Sequence, residues 1–134
     1  MMEVALVFDT NGNTICFHDP KGCTGGSIPD SRDLWEVIWE NRERLGGVAH
    51  THPWDGPAFP SHTDVTTFEA IERALGKSLL WPVVTFTDVT CVVRNPLYID
   101  WDYRWTTKIP LTINIEGIEE LRARSRAQPG TPRP

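Results

Sequence analysis

Cysteine is scarce in this chain of 134 residues, and its three copies, Cys16, Cys23 and Cys91, form no Cys-x-x-Cys pair. An odd number without that spacing argues against a disulfide framework and against a four-thiolate zinc site. A basic excess is missing too. The formal net charge is −5, which speaks against nucleic acid or an anionic membrane surface as partner. No apolar run approaches the ~20 residues that span a bilayer. Glu3 and Asp9 interrupt the first apolar stretch, so no secretory leader is expected. Unpaired thiols and no leader make the cytoplasm the expected location. No internal repeat and no linker divides the chain.

What is present suits a folded domain. Hydrophobic residues make up 40% and charged residues 23%, ordinary values for a soluble globular protein. A chain of this length buries roughly two thirds of its unfolded surface. One domain is expected over residues 1–126. A Pro-rich tail over 127–134, ending "QPGTPRP", reads as disordered. Six tryptophans are many for this size and read mostly as core or interface anchors.

Val4 to Phe8 ("VALVF") reads as a buried strand, and Asn11-Gly12 as a hairpin turn into a returning strand over Asn13 to Phe17. Asp19 to Asp30 reads as a loop. Ser31 can cap a helix that starts near Arg32, with Leu34, Trp35, Ile38 and Leu45 near one face and Gly46-Gly47 as its stop. Glu36, Glu40 and Glu43 fall on the solvated side. Val48 to His52 reads as a strand broken by Pro53. Ser61 opens a second helix with an apolar stripe of Val65, Phe68, Ile71 and Leu75, ended by Gly76. "WPVVTFTD" and "VTCVVRN" read as two strands joined near Asp88, and Ile118 to Arg126 as a short helix. The expected fold is therefore α/β: a single mixed sheet flanked by helices.

The chemistry concentrates in "VAHTHPWDGPAFPSHTD", residues 48–64, which holds three of the four histidines. In a strand, residues i and i+2 share a face, so His50 and His52 would present two imidazoles side by side. Imidazole nitrogen ligates zinc readily, and Asp64 at the start of the next helix could add a third ligand. Three protein ligands leave a fourth tetrahedral position for water, as in catalytic zinc sites. Each piece also has a plainer explanation. Two histidines two apart on a strand are more often surface or hydrogen-bonded residues. Ser61-x-x-Asp64 has the form of a capping box, in which the acid merely decorates a helix start. His62 reads as a solvated residue of that start, and His18 as a loop residue.

Taken together, "HTHP", a Pro-rich loop and "PSHTD" resemble the JAMM motif of the JAB1/MPN zinc metalloproteases. His50, Thr51, His52, Pro53, Pro60, Ser61 and Asp64 match it one by one. Eleven residues separate His52 from Asp64, one more than is commonest in that family, and the extra residue falls in a Gly/Pro loop where insertions cost little. The resemblance implies an MPN-like sheet with cytidine-deaminase-like layering, here without the family's usual N-terminal strand and helix. It implies a zinc ion on His50, His52 and Asp64. "MEVALVFD" looks like the strand that carries the family's glutamate, so Glu3 matches the general base, and Ser61 matches the donor to the oxyanion. The implied reaction is hydrolysis of a peptide or isopeptide bond, often one to a ubiquitin-like modifier. Trp54, Phe59 and Trp81 are candidates for the groove wall, with ordinary burial the stronger reading for Trp81. Trp101, Tyr103 and Trp105 alternate along the chain and offer a substrate or homodimer surface, or simply core. Two other classes stay open: a non-catalytic MPN-like scaffold, and a peptidoglycan or phage-tail type peptidase on the same zinc site.

Overall fold

In the computed structural model, which describes residues 3–18, 32–94, 103–104 and 114–126, the apolar run Val4–Phe8 is buried along its whole length. It forms strand β1 (Ala5–Asp9) and turns through Asn11 and Gly12 into β2 (Thr14–His18). Gly12 has φ 85°, a left-handed conformation that favours glycine. Helix α1 (Arg32–Glu40) leads to β3 (Leu45–Thr51), and α2 (His62–Leu75) leads to β4 (Trp81–Val84). Next come β5 (Val89–Arg94), the two-residue β6 (Tyr103–Arg104) and α3 (Ile118–Arg126). The fold is mixed α/β with one sheet, in the order β2-β1-β3-β4-β5-β6. β3 runs antiparallel to β1 and parallel to β4, so it lies inside the sheet with a partner on each side.

Strand alternation sorts the core into two layers. Ala5, Val7, Val48 and Val83 face Leu34 and Ile38 of α1 and Phe68 of α2. Val4, Leu6, Phe8, Ala49 and Val84 face the other way, against Leu121 of α3. His50 lies two residues from Val48 and Glu3 two from Ala5, so both belong to the layer covered by α1 and α2.

Several expectations shift. α1 ends at Glu40, not at Leu45. Asn41 stops it: its side-chain amide donates to the Val37 carbonyl at 2.8 Å, and its Oδ1 accepts from Arg44 at 2.8 and 3.0 Å. Leu45 is thus the first residue of β3, and Gly46-Gly47 lie within that strand rather than ending a helix. Gly47 is required by close approach. A Cβ there would sit 2.1 Å from the Leu80 carbonyl oxygen and 2.7 Å from the Phe8 ring. His18 ends β2 instead of lying in a loop. The buried line of α2 is Asp64, Phe68 and Glu72, with Val65, Ile71 and Leu75 only partly buried beside it. The apolar stripe expected from the sequence therefore lies to one side of the buried line, two positions of which are acids. α3 spans Ile118–Arg126 as expected. The loop over Asp19 to Asp30, the Ser31 cap, Cys23, Trp101, Trp105 and the tail 127–134 lie outside the described residues, as does the side chain of Tyr103. No helix among the described residues is long and apolar enough to cross a membrane.

Gly47→Ala is expected to lower stability by at least about 1–3 kcal/mol, the usual scale of overpacking, because both obstructing groups sit in the sheet's interior. Urea unfolding measures this, and a variant as stable as the parent would show that β3 and β4 separate freely.

Candidate metal centre

Three elements converge on one point. β3 contributes His50, and His52 follows directly after its last residue, with its amide donating to the Val84 carbonyl at 2.9 Å. α2 contributes Asp64 from its first turn. β1 brings Glu3, the residue before Val4. Thr51 makes this last placement possible. It points away from the histidines, its hydroxyl oxygen accepts from the Val4 amide at 2.9 Å, and its own amide donates to the Val4 carbonyl at 3.0 Å. The β1–β3 ladder pairs Ala5 with His50, and the Thr51 clamp continues it to the point where Glu3 meets His52. Glu3, His50, His52 and Asp64 are all 1% exposed or less.

The contacts are short. His50 Nε2 and His52 Nε2 lie 3.1 Å apart. Asp64 Oδ2 is 3.0 Å from the first and 2.9 Å from the second. Glu3 Oε1 is 3.8 Å from His52 Nε2. Asp64 Oδ2 also accepts from the Ser61 amide at 2.9 Å, while Ser61 Oγ accepts from the Asp64 amide at 3.0 Å. The capping box is therefore real, and the same carboxylate faces the imidazoles. Ser61 is half-buried, and its bond from the Asp64 amide uses the hydroxyl oxygen as acceptor and does not consume the hydroxyl proton.

Burial pushes the Asp64 carboxyl upward, but hydrogen bonds with His50 and His52, the His50 charge and the Ser61 amide outweigh it and hold the group well below the usual carboxylate range. Burial lowers the His50 imidazole despite the opposing pull of Asp64. The centre thus combines an ionised acid with a ring biased towards its neutral, ligating form.

Each Nε2 carries at most one proton, and an ionised Asp64 carries none. No distribution of protons can place a hydrogen bond on all three edges of this triangle. A cation at its centre satisfies all three lone pairs at once. The size fits as well: a tetrahedral ion with bonds of ~2.0–2.1 Å holds its ligand atoms about 3.3 Å apart, close to the 2.9–3.1 Å seen here. Glu3, His50 and His52 likewise offer ligand atoms within 4.8 Å of one another. These buried side chains could hold a metal ion. Two imidazoles and a carboxylate suit a divalent transition metal.

The surroundings are aromatic. His50 meets the Phe68 ring edge-on, with centroids 6.0 Å apart. His52 meets Trp54 at 4.4 Å and 85°. Trp54 and Phe59 are 37% and 50% exposed and lie 6.4 Å apart, beside the centre on the loop after Pro53. Trp81 is fully buried, stacked on Phe68 at 4.4 Å, so it forms core and not groove wall.

The structure brings His50, His52, Asp64 and Glu3 together and sets Ser61 directly against Asp64. Glu36, Glu40 and Glu43, placed on the solvated side of α1 and just beyond it, are exposed and away from the centre's buried residues, and His62 is exposed at the helix start. Two contributors escaped the sequence reading. Thr51 enters the sequence pattern only as part of the motif, although strand alternation alone turns it to the opposite face. Glu72 follows Asp64 by eight residues, a helical repeat that places both on one line. No family model matches the chain, and no curated protein matches it.

The purified chain is expected to bind one equivalent of a divalent transition metal. Asp64→Asn, which removes the charge shared by both rings, is expected to weaken binding beyond the roughly 100-fold upper range of outer-shell changes. Competition with a chromophoric chelator measures both, and unchanged affinity in the variant would remove Asp64 from the ligand set.

Proposed function

We propose that this centre holds zinc and that the protein is a JAMM-type metalloprotease that hydrolyses a peptide or isopeptide bond, with a ubiquitin-like protein or a peptide as substrate. One observation carries the reading: two imidazoles and a carboxylate meet edge to edge, and a second carboxylate, Glu3, stands 3.8 Å from the nearer ring without joining the triangle. A purely structural zinc site closes its shell with four protein ligands, whereas three ligands and a poised acid suit hydrolysis. The sequence pattern of residues 50–64 supports the same class, as does a mixed sheet with helices on both faces, in keeping with MPN-like layering.

Zinc, when bound, supplies Lewis acidity that activates water near neutral pH. The chain's own residues do the rest. His50, His52 and Asp64 fix the position of the charge. Glu3 takes the proton from the attacking water at its carboxylate and passes it to the leaving amine. Ser61 donates its hydroxyl hydrogen to the carbonyl oxygen as negative charge develops there. Trp54 and Phe59 present exposed apolar faces beside the reacting point, where an extended substrate segment can lie.

That aromatic ledge is stiff. The Trp54 carbonyl accepts from the Phe86 amide at 3.0 Å. The Gly56 amide donates to Thr87 Oγ1 at 2.8 Å, the Ala58 amide to Asp88 Oδ2 at 3.0 Å, and Thr85 Oγ1 to the Gly56 carbonyl at 2.7 Å. Arg122 of α3 braces the same turn through the carbonyls of Thr85 and Asp88. A surface held this way loses little freedom when it takes up a partner.

The test is a cleavage assay on ubiquitin-like fusions and peptides with a chelator control. Activity is expected to vanish with the chelator and return with zinc. Glu3→Gln is expected to keep zinc while losing about 10²–10⁴ in kcat, the range for general acid–base catalysis. Equal rates for parent and variant would remove Glu3 from the mechanism. Full zinc loading with no turnover of any substrate would point to a binding scaffold instead.

A further inference from the structure

Glu72 has no place in the chemistry above, yet its side chain is fully buried. Its Oε2 accepts from the Trp81 indole Nε1 at 2.7 Å and from the Leu79 amide at 3.1 Å. Its Oε1 is buried with no hydrogen-bond partner among the described residues. A carboxylate is expensive to bury, and an apolar residue would fill the space more cheaply, apart from stranding those two N–H groups. The functional question is what the two bonds hold in place.

They tie the last turns of α2 to the segment that enters β4. Asp64, Phe68 and Glu72 form one buried line along α2, and eight residues of helix place the two carboxylates about 12 Å apart. Midway, Phe68 stacks on Trp81 at 4.4 Å and 18° and touches His50 edge-on. Trp81 leads in the same strand to Val83, the partner of His50 in the parallel β3–β4 register. The apolar contacts of Val65, Ile71 and Leu75 give adhesion without direction. Hydrogen bonds with defined geometry fix both the slide and the roll of a helix. At the far end of α2 those bonds are made by Glu72.

We infer that Glu72 is a positioning residue: by anchoring α2 to Leu79 and Trp81 it sets the place of the Asp64 carboxylate against His50 and His52. This rests on the reading of that cluster as a metal centre. It adds that the centre depends on an acid two helical turns away from it. Glu72→Leu removes the acceptor and leaves α2 free to shift. Glu72→Gln keeps an oxygen that can accept both bonds.

The experiment is a Co2+ titration of the full chain, followed by the visible absorption of the tetrahedral complex. Glu72→Leu is expected to weaken Co2+ binding by about 10-fold or more, on the scale of lost outer-shell support, and to alter the absorption band. Glu72→Gln is expected to restore most of the affinity and the parent spectrum. A role in stability alone would lower the unfolding midpoint of Glu72→Leu and leave the affinity and band of the folded protein as in the parent, which would overturn the inference. If Glu72→Leu does not fold, Trp81→Phe removes one of the two donors and is expected to shift the same band; an unaltered band there overturns the inference. The imidazole nitrogen shifts of His50 and His52 in the metal-free protein supply a separate reading. They are expected to change in Glu72→Leu as Asp64 moves. A parent chain that takes up no Co2+ would defeat the metal reading, and the ring shifts would still decide the role of Glu72: identical shifts in parent and variant overturn it.

Discussion

A negative charge withdrawn from water must be met by donors or by a cation, and this constraint governs the structure around Asp64. The carboxylate is fully buried. One backbone amide and two imidazoles reach a single oxygen of it. Those three contacts need α2 to begin where it does, β3 to end where it does, and the loop between them to return on itself. The sheet supplies the frame: β3 is paired on both sides, so the histidines at its end cannot drift. The helix supplies the counterpart, and the capping box orients its first turn.

Much of this was legible in the sequence, for identifiable reasons. The element order followed from periodicity and from Gly, Pro and Asn signals, because the strands are short and apolar and the turns carry residues of fixed preference. His50 and His52 could be placed on one face because alternation in a strand is strict. Asp64 could be placed near them because a helix start after a returning loop has few places to go. Glu3 was the less obvious member. Its position depends on strand pairing between distant parts of the chain, and on a Thr51 hydroxyl that local propensity does not mention.

The departures from expectation arise where tertiary contacts override local rules. Local rules weigh polarity as a sign of exposure, and tertiary structure overrides that at α2, where Glu72 is buried and accepts from the indole N–H of Trp81. The same rules read Gly46-Gly47 as a helix stop. Glycine served instead to let two strands approach, with Leu80 and Phe8 occupying the space a side chain would need. Asn41 ended the helix earlier, through a side chain that competes for the backbone.

The shared role of Asp64 bears on how the fold would respond to gaining or losing an ion at this point. The Ser61–Asp64 capping box closes between the backbone amide of each residue and the side-chain oxygen of the other, with no part taken by the histidines, so the cap does not need an ion to form. Domains whose fold is created by zinc collapse on losing it. Here neither apolar core layer includes a residue of the centre. On the proposed metal reading, loading would then be an exchange on a finished scaffold, with occupancy following the free ion concentration of its surroundings and no refolding step.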